Sequence, residues 1–391
     1  MRFTWGAVYA VLFLYRCGYS VVGQVVVLRL TGIPDTTGYQ AFTLGRFFDS
    51  GPTFEAAMLM EYNATLMTRF VAACFSQIFG GNAILMNIGF HSIAFVGLVY
   101  FLRGLEPKTR VFMLLLVMTP SFSLWSSIVS KEAIVVFLVA VLARYVVDIY
   151  NNRDRFTVLQ LAALGILYMF KPHFIPAILF VAGTSKIAHY IREPATFALL
   201  AGTATLGLLY VMRDTVDTFS RLVSVWVFSE TGGSQRSVPL ISEQYDFFTK
   251  APQGMFRAFV GPTFSEASAG ILQMLSLLES ACILAVLAVF VTWNLLRIPV
   301  YSAIIALFTV FWTMLANYSL GVANAGTAIR YRTDYILLVF LAVAVLTSRD
   351  LYIQWRRGPR PAGFAMAAVP ELLRPGSQEV KVNNPPGKHL L

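Results

Sequence analysis

The segment 268–294 reads SAGILQMLSLLESACILAVLAVFVTWN, an apolar run that contains one charged residue, Glu279. A helix needs roughly 20 apolar residues to cross the hydrocarbon core of a bilayer, and runs of similar character recur along the chain. The sequence therefore predicts an all-α, polytopic membrane protein with about ten transmembrane helices. These helices are predicted at 5–28, 82–102, 111–127, 132–149, 157–170, 174–190, 195–212, 268–294, 299–318 and 333–347.

Two places depart from simple spans. Lys171-Pro172-His173 interrupts the fifth and sixth runs, which are either two short spans or one broken helix. The stretch 64–80 is only moderately apolar and contains Arg69 and Gln77, so it is predicted as an interfacial or re-entrant helix.

Composition supports the same class of protein. The chain is 57% hydrophobic and 13% charged, whereas soluble domains carry about 25% charged residues. The net charge of +10 does not predict nucleic-acid binding, because the basic residues lie in short loops and in the C-terminal tail, where lipid headgroups are nearer. The three cysteines lie inside apolar runs without CxxC spacing, which predicts neither a metal site nor a redox site.

Orientation follows from the distribution of basic residues. With ten spans, the short loops rich in Lys and Arg all fall on one side, which the positive-inside rule makes cytoplasmic, together with both termini. Residues 1–347 then form the transmembrane domain, with two long outer loops at 29–63 and 213–267. Long loops on one face usually carry function. The tail 348–391 is rich in Pro, Gly and Arg, which predicts a mostly disordered cytoplasmic segment.

The first outer loop contains the sequence PDTTGY at 34–39. Its carboxylate, Asp35, lies just beyond the first span and can act as a general base on an acceptor hydroxyl at the membrane surface. Tyr39 follows four residues later and is a candidate substrate contact. The alternative is that Asp35 is a turn or cap residue after Pro34.

Two further features lie on the predicted outer side. The segment 120–132, PSFSLWSSIVSKE, ends in Lys131 and Glu132, which can bind a phosphate or a sugar there, or instead form a structural ion pair. Lys171 and His173 can neutralise a lipid-linked phosphate or pyrophosphate. Their alternative is an ordinary interfacial position.

The large outer loop contains the glycine-rich sequence SETGGSQR at 229–236. Glycines let a backbone approach a ligand closely, so Glu230, Arg236 and, further along, Glu266 are candidate substrate contacts. No nucleotide-type phosphate loop is predicted, because the Lys-Ser/Thr that would follow is missing.

The segment 324–332, NAGTAIRYR, precedes the predicted last span. Arg330 and Arg332 suit bidentate recognition of phosphate oxygens. The alternative is that they pair with Asp334 or with Glu279, a carboxylate inside the eighth span that needs a partner. Glu279 is also a candidate substrate contact.

Taken together, PDTTGY, the 120–132 segment and NAGTAIRYR resemble the GT-C-type integral membrane glycosyltransferases and the related polymerases of bacterial surface polysaccharides. The resemblance covers about 1–347 and departs from the family in lacking a second acidic residue beside Asp35 and a large soluble C-terminal domain. It implies a GT-C-like fold in the bacterial inner membrane, with Asp35 as catalytic base. The resemblance assigns no metal ligand, and it leaves open whether a divalent metal takes part in the reaction.

The predicted function is a transferase or polymerase in cell-surface or exopolysaccharide biosynthesis. A donor handled on the outer face has to be carried by a lipid such as polyprenyl phosphate, and the partner substrate is a glycan acceptor. Lys131, Lys171, Arg330 and Arg332 would stabilise the departing phosphate. The alternatives are a transporter or flippase of a lipid-linked glycan, and a non-catalytic scaffold for polysaccharide-assembly partners.

Overall fold

The structure of this chain, a computed structural model, consists of helices and the turns that connect them in the residues it describes. These are 5–31, 34–45, 60–150, 156–188, 190–191, 193–229, 236, 240–268, 270–294, 298–322 and 324–343. Every regular element in these ranges is a helix, which confirms the all-α prediction. The tail 348–391, residues 46–59 of the first outer loop and Glu230 lie outside the described residues.

Sixteen helices follow one another along the described chain. The first continues beyond its end through a π-helical turn, Gly23–Val27, and a short helical stretch, Leu28–Thr31. In chain order they are α1 (Trp5–Val22), α2 (Pro34–Gln40), α3 (Met60–Ile78), α4 (Ala83–Arg103), α5 (Pro107–Val117), α6 (Pro120–Trp125), α7 (Lys131–Tyr150), α8 (Val158–Phe170), α9 (Phe174–Ile187), α10 (Pro194–Ser229), α11 (Asp246–Thr249), α12 (Ala251–Val260), α13 (Phe264–Ala267), α14 (Ile271–Asn294), α15 (Val300–Gly321) and α16 (Ala325–Leu341).

Five segments are long and apolar enough to cross a membrane. They lie within α1 with its π turn, α4, α10, α14 and α15. Helices α8 and α9 are apolar but shorter, with 13 and 14 residues, and at 1.5 Å per residue each spans only about 20 Å. These elements support a helical membrane protein.

Helix α7 is the centre of the bundle. It packs against α4, α8, α9 and α16, and Ala133, Val135, Val139 and Ala143 are fully buried along it. A helix that is apolar on all sides is expected to be surrounded by other helices. The position of α7 matters for the site, because the charged residues Lys131 and Glu132 form its first turn.

Several predicted boundaries are wrong. The predicted third span, 111–127, is two helices, α5 and α6, because Pro120 has no N–H to continue the hydrogen-bond ladder and begins a new helix instead. The predicted seventh span, 195–212, extends to Ser229 as α10. The described part of the predicted outer loop 213–267 is therefore largely helical, since it contains the end of α10 and all of α11–α13.

The described part of the first outer loop is largely helical. It contains α2, and the helix that follows, α3, already begins at Met60 and includes the stretch 64–80 up to Ile78. Helix α3 packs against α2, α4, α7 and α8. The segment that carries Asp35 is thus tied to the helical bundle through α2 and α3.

The last helix begins earlier than predicted. The sequence predicts a span from 333, but α16 starts at Ala325, so Arg330 and Arg332 lie inside a helix rather than before it. Asn324 caps this helix, since its side-chain oxygen accepts the backbone N–H groups of Gly326 and Thr327. The arginines are tolerated there because carboxylates on other helices neutralise them.

Candidate functional site

Helix α16 supplies charged side chains to two different places. Arg330 and Asp334 are four residues apart and therefore lie on the same face of the helix. Arg332 lies between them, about 200° around the helix axis from Arg330. One short segment of sequence thus serves two separate clusters.

The first group, called here the Arg330 cluster, consists of Asp35, Glu132, Lys171, Arg330 and Asp334. Arg330 donates from Nη1 to Asp35 Oδ2 at 2.9 Å and from Nε to Glu132 Oε1 at 2.7 Å. Its guanidinium also lies 5.8 Å from the centroid of the Trp125 ring. The cluster therefore joins α2, α7 and α16 at one end of the bundle.

Lys171 completes this cluster from the junction of α8 and α9. Its Nζ lies 3.4 Å from Asp334 Oδ2 and 3.9 Å from the centroid of the Tyr331 ring. Pro172 follows it and the chain turns there into α9, so the interruption noticed in the sequence puts a buried ammonium beside α16. His173, the N-cap residue of α9, contacts the Phe174 ring in a tilted arrangement with ring centroids 5.2 Å apart.

Exposure differs sharply within the Arg330 cluster. The side chains of Glu132 and Asp334 are 0% exposed, whereas that of Asp35 is 49% exposed. Tyr39, four residues after Asp35, is buried at 3% exposed. Solvent or a ligand therefore reaches this cluster at Asp35 and at the adjoining edge of Arg330.

The second group, called here the Arg332 cluster, consists of Ser121, Glu279, Ser280 and Arg332. Arg332 donates to Ser280 Oγ at 2.6 Å, to Ser121 Oγ at 3.2 Å and to Glu279 Oε1 at 3.5 Å. Glu279 also accepts hydrogen bonds from the backbone N–H and the hydroxyl of Ser121. Of the two arginines, Arg332 is thus the one that contacts the carboxylate inside the predicted eighth span.

An apolar cavity of about 680 Å³ adjoins the Arg332 cluster, with walls from α1 and its π turn, α5, α6, α14 and α16. Ser121 and Glu279 form a polar part of a lining that is otherwise mostly apolar. Leu275 and Leu278 in the wall are more than half exposed, so the cavity opens on the lateral surface of the bundle.

Arg236 and Glu266, both predicted to contact substrate, bind each other. Arg236 Nε donates to Glu266 Oε1 at 2.6 Å, and its other nitrogens donate to the carbonyls of Val322 and Gly261. Burial alone would raise the pKa of Glu266, but Arg236 and the backbone N–H of Thr263 hold that pKa below its usual value. Arg236 is thus held against α13 through Glu266 and against the turn before α16 through the Val322 carbonyl.

Sequence reasoning missed Arg16, a fully buried residue of α1. Its guanidinium donates to the carbonyls of Val117 and Ser126 at 3.4 Å and to Ser126 Oγ at 2.5 Å, and it also contacts His91 Nδ1. Arg16 thus satisfies carbonyls where α5 and α6 end. The available signal was a single arginine in the apolar run 5–28.

Among the predicted site residues, the structure brings together Asp35, Glu132, Lys171 and Arg330. Lys131 is adjacent as the first residue of α7, while Arg332 with Glu279 and Arg236 with Glu266 lie in their own pairs. Within the described part of the chain, no three His, Cys, Asp or Glu side chains are grouped as metal ligands.

Comparison of the chain with protein-family models, with curated proteins and with solved structures finds no match. The resemblance to GT-C-type enzymes therefore rests on the sequence motifs alone. Function has to be argued from the geometry of the two clusters.

Proposed function

We propose that this chain is a membrane-embedded glycosyltransferase or polysaccharide polymerase that uses a polyprenyl-phosphate-linked sugar donor. The single observation that carries the proposal is the placement of Asp35. A half-exposed carboxylate lies just beyond the first membrane helix, 2.9 Å from a guanidinium that is itself mostly buried. A base and a phosphate-binding cation are thus within reach of one substrate.

The chemistry follows from these positions. Asp35 takes the proton of an acceptor hydroxyl, and the hydroxyl oxygen forms a bond to the anomeric carbon of the donor. The bond between that carbon and the phosphate oxygen breaks, and its electron pair leaves with the polyprenyl phosphate or diphosphate. Arg330 and Lys171 offset the charge that develops on the departing oxygen.

The proposed topology has about ten crossings in a GT-C-like arrangement. The five long apolar segments supply half of these crossings. The others are α5 and α6 counted together as one crossing, and α7, α8, α9 and α16 as one crossing each. The support for this topology is that Glu132, in the first turn of α7, pairs with Arg330 near the start of α16, and that Lys171, between α8 and α9, pairs with Asp334 one turn further along α16. The starts of α7 and α16 and the α8–α9 junction then lie toward the same end of the bundle. The proposed location is the bacterial inner membrane, with the Arg330 cluster outside and both termini inside.

A reconstitution assay tests the activity. Purified protein in liposomes receives a polyprenyl-linked glycan as both donor and acceptor, and the lipid-linked products are separated by size. We expect a longer product with the wild type and a loss of roughly 100-fold or more with Asp35→Asn. The matched control is Asp148→Asn, which alters a carboxylate paired with Arg144 toward the other end of α7. Unchanged product length with the wild type contradicts the proposal.

The second candidate is a transporter or flippase of a lipid-linked glycan, and Arg16 is the observation that favours it. Arg16 lies about 17 Å along α1 from its start and is fully buried. Charged residues at such depth often mark a pathway for a polar substrate. Movement of the lipid between leaflets without any change in product length, in wild type and Asp35→Asn alike, supports transport.

A further inference from the structure

Arg330 holds two carboxylates that differ in how firmly they are fixed. Glu132 occupies the Nε side, is fully buried and belongs to the central helix α7. Asp35 occupies the Nη1 side, is half exposed and belongs to the seven-residue helix α2. Exposed ion pairs contribute little because water competes for both partners, so the contact with Asp35 is the one that a ligand can replace.

The contacts of Arg330 argue against simple addition of an anion. Its guanidinium already donates to two carboxylates, to Asp35 through Nη1 and to Glu132 through Nε. A third anion beside the same guanidinium would be repelled by both carboxylates. An incoming anion is therefore accommodated when one carboxylate leaves, and Asp35 is the exposed one.

We propose that the Asp35 carboxylate occupies the position of an anionic ligand, a phosphate-ester oxygen, on Arg330, and that ligand binding displaces it. A carboxylate and a phosphate oxygen accept guanidinium N–H bonds with the same geometry. The inference rests on the proposed function in taking the anion to be a phosphate ester. Glu132 stays in place on the other side and keeps the guanidinium oriented.

This exchange couples the two parts of the proposed reaction. While Asp35 is paired with Arg330, its Oδ2 accepts the guanidinium hydrogen bond and is not available to an acceptor hydroxyl. When a phosphate takes its place on Arg330, that carboxylate oxygen is released at the moment the donor is bound. Without the donor, Asp35 stays bound to Arg330.

Direct binding measurements test the exchange. The probes are farnesyl monophosphate and inorganic phosphate, titrated by calorimetry into the full chain in detergent. Removing the competing charge in Asp35→Asn is expected to tighten farnesyl phosphate binding by roughly tenfold, and Asp35→Ala should show the same direction. Arg330→Gln should abolish the gain, and Asp148→Asn should bind like the wild type.

The outcomes separate this inference from the proposed reaction. Tighter binding by both Asp35 variants supports the exchange even if the liposome assay shows no transfer, in which case only the proposed reaction is overturned. An equal gain for inorganic phosphate identifies free phosphate as a ligand of the same position. Equal or weaker binding by the Asp35 variants, or no binding of either probe by any form, overturns the exchange even if transfer is observed.

Discussion

Arg330 and Arg332 show how a two-residue offset along a helix determines which carboxylate an arginine pairs with. The two arginines flank Tyr331 and look equivalent in the sequence, yet Arg330 pairs with Asp35 and Glu132 while Arg332 pairs with Glu279. The geometry of α16 accounts for the division, because residues two apart on an α-helix point in nearly opposite directions.

The burial of Glu132 leads to a stability prediction. Glu132→Gln removes the buried negative charge that compensates Arg330 inside the bundle. Arg330 then keeps its ion pair with the half-exposed Asp35. Breaking a buried ion pair costs about 3–5 kcal/mol, so we expect a clear fall in the thermal midpoint in detergent. The control Glu106→Gln alters a partly exposed carboxylate before α5 and should change stability by less than about 0.5 kcal/mol. Equal midpoints for the two variants would contradict this account.

At this scale the sequence predicts residues better than partners. Asp35, Glu132, Lys171 and Arg330 stand out because ionisable groups near lipid are costly. Their pairing depends on the relative rotation of helices that are far apart in the chain; Asp35 and Arg330 are separated by 295 residues. A single sequence carries no measure of that rotation. The residues of the cluster could therefore be identified from the sequence, but their contacts with one another could not.

Among the elements, the contact between α4 and α7 depends on Gly97. A Cβ atom added at Gly97 would lie 2.7 Å from the Phe137 Cα and 3.0 Å from its carbonyl oxygen, which are backbone atoms that cannot rotate away. Small residues permit such close approach of helices in membranes. Displacing α7 would also disturb Glu132 at its first turn.

We therefore expect Gly97→Ala to destabilise the protein by about 1–3 kcal/mol, the usual cost of overpacking. The matched control is Gly165→Ala on α8, where an added Cβ meets nothing within 4 Å. That variant should be neutral or slightly stabilising, because alanine favours a helix over glycine. Thermal unfolding in detergent measures both, and an equal response would show that the α4–α7 contact is looser than described.

The segment around α11 carries a pH prediction. Burial alone would raise the pKa of Asp246, but the backbone N–H groups of Glu243 and Ser242 and the Lys250 ammonium lower it to about 2. A carboxylate with a lowered pKa stabilises the folded state fully above its unfolded pKa of about 3.9. That contribution is lost as the pH falls through about 2.

Hydrogen exchange of peptides covering 242–250 measures this effect. We expect Asp246→Asn to lower protection at pH 6, and the difference from the wild type to shrink between pH 4 and pH 2. Asp214→Asn is the control, because its carboxylate is largely exposed and exposed pairs contribute about 0–1 kcal/mol. A difference that stays constant across this pH range would mean that Asp246 acts without its charge.

Element boundaries show what hydropathy can and cannot locate. The apolar runs give α4, α7, α14 and α15 closely, because length and composition are enough for buried or lipid-facing helices. Helix α10 runs to Ser229, past Asp214, and α16 begins at Ala325, before Arg330. An apolar run ends at the first charged residues, so a hydropathy-based prediction ends the helix there. The helix itself continues through charged residues that are neutralised by ion pairs.

In the whole molecule, the Arg330 cluster and the basic residues Arg110 and Arg144 lie toward opposite ends of the bundle. Helix α7 connects them, with Glu132 in its first turn and Arg144 about 18 Å further along its axis. Arg144 pairs with Asp148, and nearby Arg110 donates to the carbonyl of Leu105. These charged groups are thus separated along one helix.

Labelling from the two sides of the membrane tests this arrangement. The positive-inside rule puts Lys108, in the basic loop before α5, in the cytoplasm. Thr249 ends α11, and the Phe247 carbonyl of the same helix accepts a hydrogen bond from the Tyr318 hydroxyl. Tyr318 is near the end of α15, where the chain leads into α16, so Thr249 lies toward the end that holds the charged clusters. Both positions are exposed.

With the three native cysteines replaced by alanine, a membrane-impermeant maleimide should label Thr249→Cys in right-side-out vesicles and Lys108→Cys in inside-out vesicles. The cysteine-free chain should stay unlabelled in both preparations. Labelling of the two positions from the same side would place the basic loops and α11 in one compartment. That result would contradict a reaction at Asp35 on the outer face, because the positive-inside rule would then place the Arg330 cluster on the cytoplasmic side together with the basic loops.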